Sequence, residues 1–102
     1  QMGKYAPRGG RVDGNQAQIV RELRAIGFRV DNVSQLKKLY DLVVTGRIFG
    51  TDNVRTVRVE VKQPGEKLSS AEIDYHRADP YPTTLLIAYS TEDILKWFEQ
   101  DD

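Results

Sequence analysis

The chain has 102 residues, which suits one domain with a single modest core. Basic and acidic residues balance at 15 each, so a strongly basic, non-specific nucleic-acid binder is excluded, while a local basic patch is not. The absence of cysteine excludes disulfide scaffolds, thiolate zinc sites and cysteine nucleophiles.

No apolar run approaches the roughly 20 residues of a membrane span. The start, "QMGKYAPRGG", has no signal-peptide apolar region. A cytoplasmic protein is expected, with residues 1–12 as a flexible N-terminal arm and residues 13–102 as the domain. "GNQAQIVRELRAIGF" predicts a first helix, capped by Asp13 or Asn15 and ended by Gly27. Its apolar stripe is Ile19, Val20, Leu23 and Ile26. "FRVDNVS" predicts a short strand, "QLKKL" a polar connector and "YDLVVTGR" a second strand. The turn "FGTDN" and the strand "VRTVRVEVK" complete a hairpin. "SSAEIDYHRAD" predicts a helix with Ser69 and Glu72 in capping-box spacing, stopped by Pro80 and Pro82. "TTLLIAYS" reads as a strand covered on both faces, and "STEDILKWFEQ" as a final helix capped by Ser90. The order α-β-β-β-α-β-α predicts an α/β domain with one mixed four-stranded sheet flanked by helices.

Side chains alternate across a strand, so Val57, Val59 and Val61 share one face and Arg58, Glu60 and Lys62 the other. The hairpin can bring Asp41, at the start of the preceding strand, close to Glu60. Two converging carboxylates repel, and a divalent cation neutralises them better than Lys62 alone. Magnesium is typically held by one or two carboxylates with waters filling the remaining positions. Such a site suits phosphate chemistry, with a lysine to orient the nucleophile or offset developing charge. The plain alternative is a wet sheet face on which Glu60 pairs with Lys62 or Arg58.

"YDLVV" and "EVK", with 18 residues between Asp41 and Glu60, resemble the PD-(D/E)XK nuclease superfamily. The nearest likeness is to small phage-type VRR-NUC endonucleases and Holliday junction resolvases. It runs over about residues 13–98 and includes "NQAQIVRELRAIGFRV", the Ser34 region, "VEVKQPGEKLSSAEIDYH" and "LLIAYSTEDILKWF". The resemblance implies a restriction-endonuclease-like core and a phage or bacterial origin. It implies Mg²⁺ or Mn²⁺ bound by Asp41, Glu60 and the backbone carbonyl of Val61, with Lys62 as the catalytic lysine. Gln16 or Gln18 stands where relatives often carry Glu on the first helix. Tyr40 replaces the usual proline before the aspartate, and Ile73 falls at the place of a frequent Gln.

His76, the only histidine, is a candidate phosphate contact or proton donor to the leaving oxygen; alternatively it is a half-exposed residue near a helix end. Ser34 is a candidate phosphate ligand or simply a turn residue. Arg8, Arg11, Lys37, Lys38 and Lys67 are candidate DNA-phosphate contacts, with solvation as the ordinary alternative for each. The leading expectation is a metal-dependent DNA endonuclease, weakly sequence-specific or selective for branched DNA, acting as a homodimer. The rivals are a non-catalytic binding module on the same fold and a small structural protein.

Overall fold

The computed structural model describes residues 7–36 and 40–100, with the side chains of 14–35 and 40–100. Elements run α1 (Pro7–Ile26), β1 (Arg29–Asn32), β2 (Leu42–Arg47), β3 (Val54–Val61), α2 (Ser70–Ala78), β4 (Leu85–Ala88) and α3 (Thr91–Trp97). Short 3-10 turns occupy Ser34–Leu36 and Pro82–Thr84. The helix and strand order is the predicted one, and the protein is an α/β fold with one mixed sheet and three helices.

The sheet order is β1-β2-β3-β4. β1 pairs with β2 and β2 with β3 antiparallel, while β4 joins β3 in parallel after the α2 crossover. Leu42 and Val44 of β2, with Val57 and Val59 of β3, point to one face and are fully buried. Ile19 and Leu23 of α1, Ile94 of α3 and Phe98 close that core. The opposite face carries the charged residues and lies beneath α2, which reaches it through Glu72, Tyr75 and the following Asp79.

Local signals set most boundaries. Gly27 takes a φ of 111° after α1, a conformation that costs an L side chain energy. Ser69 and Glu72 form a complete capping box on α2. Ser90 accepts the amide of Asp93 and caps α3. Gly46 serves packing instead: a methyl group there would run into the ring of Phe28, which is itself held against Phe49 and Phe98. The Phe28 ring thus fills the space that a side chain on β2 would occupy.

Two expectations at the N-terminal end are corrected. Helix α1 begins at Pro7 rather than at residue 13, so the arm expected over 1–12 gives way to helix from Pro7 onward. Proline suits the first helical position because its missing N–H has no partner there anyway. Asp13 and Asn15 therefore lie inside the helix, beyond its first turn. Ile26 is 56% exposed and leaves the predicted stripe.

Candidate functional site

The antiparallel register of β2 and β3 pairs Leu42 with Val59. Asp41 directly precedes that pair, close enough to Glu60 for the two charges to interact. The Asp41 amide donates to the Val59 carbonyl at 2.8 Å, which carries the pairing past the formal end of β2. The Val61 amide donates to Asp41 Oδ2 at 2.9 Å. N–H and C=O of one strand residue point to the same side, so the Val61 carbonyl faces the Asp41 side as well.

The Glu60–Lys62 ion pair of the plain alternative is present, but Glu60 and Lys62 are each only 6% exposed, so the sheet face is not wet at these two residues. The cause is α2, which covers that face. Lys62 Nζ lies 2.8 Å from Glu72 Oε1, 3.6 Å from Glu66 Oε2 and 3.8 Å from Glu60 Oε2. Arg58 turns away from Glu60 and pairs with Asp79 at 2.7 Å. One ammonium therefore serves three carboxylates, with Asp41 adding a fourth negative charge nearby.

That surplus shows in the protonation of the cluster. Burial pushes the Glu60 carboxyl up to about 8, and the charges of Asp41 and Glu72 push in the same direction. Burial lowers the Lys62 ammonium, but the hydrogen bond and charge of Glu72 outweigh it and leave the net shift upward. Glu72 moves the opposite way: burial raises it, and the Lys62 hydrogen bond brings it below its ordinary value.

A pH dependence follows. The folded state keeps a proton on Glu60 that the unfolded chain releases above its ordinary value of 4.5. This contribution to stability is full below about pH 4.5 and is lost as pH rises toward 8. In metal-free buffer, Glu60→Gln should match wild type near pH 5 and unfold at higher urea near pH 8. Equal urea midpoints at both pH values would show that Glu60 titrates normally.

Sequence reasoning missed two residues here. Asn15 of α1 donates from Nδ2 to the Lys62 carbonyl at 2.9 Å, and its buried Oδ1 has no hydrogen-bond partner. Its place one turn ahead of Ile19 and two ahead of Leu23, on the buried stripe, was the available signal. Glu72, not Ile73, is the α2 residue directed at the site, because the third helical position of a capping box folds back over the helix start. Ile73, about a quarter-turn further on, is 37% exposed. Glu72 Oε1 receives both the Ser69 amide and Lys62 Nζ, at 2.8 Å each.

The other candidates stand apart from the acid pair. Gln16 is buried and donates to Asn32 Oδ1 at 3.3 Å, while Gln18 bonds Glu22 on the exposed side of α1. Ser34 donates from N and Oγ to the same Asn32 oxygen, as a turn residue does. His76 shares the inward side of α2 with Glu72, and its buried Nε2 has no hydrogen-bond partner. Lys67 is exposed in the loop before α2. Arg8 and Arg11 fall where only the α1 backbone is described, and Lys37 and Lys38 lie outside the described residues.

The donor set fits a hard divalent ion. Two carboxylates and a carbonyl are oxygen ligands, and their excess negative charge is what such an ion neutralises. Among the described residues, no group of three or more His, Cys, Asp or Glu side chains forms a metal cluster. A two-carboxylate site lies below that number. Among the described residues, no helix is long and apolar enough to cross a membrane. No protein-family model, curated protein or solved structure matches the chain.

Proposed function

We propose that the protein is a divalent-metal-dependent DNA endonuclease with a restriction-endonuclease-like core of the PD-(D/E)XK kind. The observation that carries this reading is the nearness of Asp41 and Glu60, the Asp41 carboxylate being held by the Val61 amide, with buried Lys62 3.8 Å from Glu60. The strand order, with β4 parallel to β3 after a helical crossover, supports it as well.

In this reading Asp41, Glu60 and the Val61 carbonyl hold Mg²⁺ or Mn²⁺. When bound, the ion supplies Lewis acidity to a phosphodiester oxygen and lowers the pKa of water. The chain's own residues do the rest. The Val61 amide fixes the Asp41 carboxylate through its 2.9 Å bond. Lys62 places a positive charge beside the reacting phosphate, where it offsets the negative charge that grows in the transition state. Glu72 sets the position of that ammonium, and Asn15 holds the Lys62 backbone from the other side. Burial of Glu60 and Lys62 strengthens each of these interactions by excluding water.

A chain of this size has little surface for reading sequence, so weakly specific or structure-selective cutting is proposed. Cutting both strands of branched DNA takes two sites, hence a symmetric homodimer. The test is incubation with supercoiled plasmid and a synthetic four-way junction, in Mg²⁺, Mn²⁺ or EDTA, beside Lys62→Ala. Metal-dependent nicking by wild type and its loss in the variant are expected. Equal cutting by both proteins, or cutting in EDTA, would overturn the assignment. Binding without cutting would favour a non-catalytic module on this fold.

A further inference from the structure

We propose that a cleft beside the acid pair, formed by Arg58, Tyr75 and Tyr81, receives an unstacked nucleobase of the DNA being cut. The proposal rests on the nuclease reading and narrows its substrate to DNA with unpaired nucleotides next to the scissile bond.

The cleft adjoins the site by construction. Arg58 lies two residues before Glu60 on the same face of β3, a step of about 6.8 Å. Tyr40 directly precedes Asp41, and Tyr75 follows Glu72 by one turn of α2. A base about two stacking steps of 3.4 Å from the cut phosphate can therefore reach it.

The lining is flat, aromatic and without spare charge. The cavity measures about 270 Å³ and opens to solvent beside Tyr81, which is 68% exposed. Outside the lining, the Tyr40 ring backs two of its members: it stands 6.5 Å from the Tyr75 ring at 38°, and Arg58 Cζ lies 5.9 Å from its centroid. The Arg58 guanidinium is fixed by Asp79, by the Tyr81 carbonyl at 3.2 Å and by Thr84 Oγ1 at 3.4 Å. With its charge matched by Asp79, Arg58 offers a planar face rather than an anion site. A phosphate would gain little from such a cleft, whereas a nucleobase stacks on rings and guanidinium planes alike. A base inside a duplex is already stacked and cannot enter.

The test uses a short single strand carrying one 2-aminopurine, bound in EDTA so that nothing is cut, with a blunt duplex for comparison. Tighter binding of the single strand and quenching of its fluorescence are expected. Tyr81→Ala should weaken single-strand binding by about tenfold and relieve the quenching, while Tyr81→Phe keeps both. Wild-type quenching in the Ala variant overturns the proposal. So does equal loss in the Phe variant, which would point to the hydroxyl, or binding no tighter than to the duplex. The two readings fail separately. Quenching by a protein that never cuts with Mg²⁺ or Mn²⁺ sinks the nuclease alone. Cutting without Tyr81-dependent quenching sinks the cleft alone.

Discussion

Asp41→Asn should reduce metal-dependent DNA cleavage by at least about a thousandfold while leaving the fold intact. The loss corresponds to several kcal/mol of transition-state stabilisation, the scale of a metal's contribution to phosphoryl chemistry. The fold survives for a specific reason. Asp41 Oδ2 accepts the Val61 amide at 2.9 Å, and the amide oxygen of Asn accepts it equally well. The substitution also removes one of the like charges that push the Glu60 carboxyl upward, so the melting temperature should not fall. Nicking rates and thermal melts of the two proteins check both halves. A variant that cuts at the wild-type rate would remove Asp41 from the site.

The second large effect concerns stability alone. The Asp79 side chain is 2% exposed and its ionic partner is Arg58, 2.7 Å away. Arg58→Met leaves that carboxylate with the Tyr81 amide but without a counter-charge, and breaking a buried pair in this way costs about 3–5 kcal/mol. Arg58 is itself 22% exposed, so the lower end of that range is expected. Against a total of roughly 5–15 kcal/mol for a small domain, the loss is severe and should appear as a sharply lower urea midpoint. Arg58→Met combined with Asp79→Leu should recover part of it, because a buried pair replaced by apolar groups is often neutral while the Tyr81 amide loses its acceptor. If the single variant is as stable as wild type, Asp79 has found water or another partner.

What the sequence made legible was decided over short distances. The capping box of Ser69 and Glu72 and the Ser90 cap need only neighbours three residues apart, and both form as expected. The nearness of Asp41 to Glu60 was legible because the 49–53 turn leaves the hairpin one register that keeps its apolar residues on the core face and sets Leu42 beside Val59. The rest depended on how helices settle on the sheet. Alternation placed Glu60 and Lys62 together correctly, yet it carries no record of α2 closing over them. Arg58 finds its partner 21 positions later in Asp79, beyond any local pattern. Asn15 looked like a cap because its hydrogen-bonding partner, the Lys62 carbonyl, is 47 residues away.

The shared oxygen of Glu72 couples two things that proteins usually keep independent. The same atom ends the first turn of α2 and anchors the ammonium of Lys62. Fraying of that turn is therefore not a silent surface event: each time it opens, the lysine loses its tether and the charge beside Glu60 wanders. Amide exchange at Glu72 and the mobility of the Lys62 headgroup should rise and fall together, as two readings of one local opening.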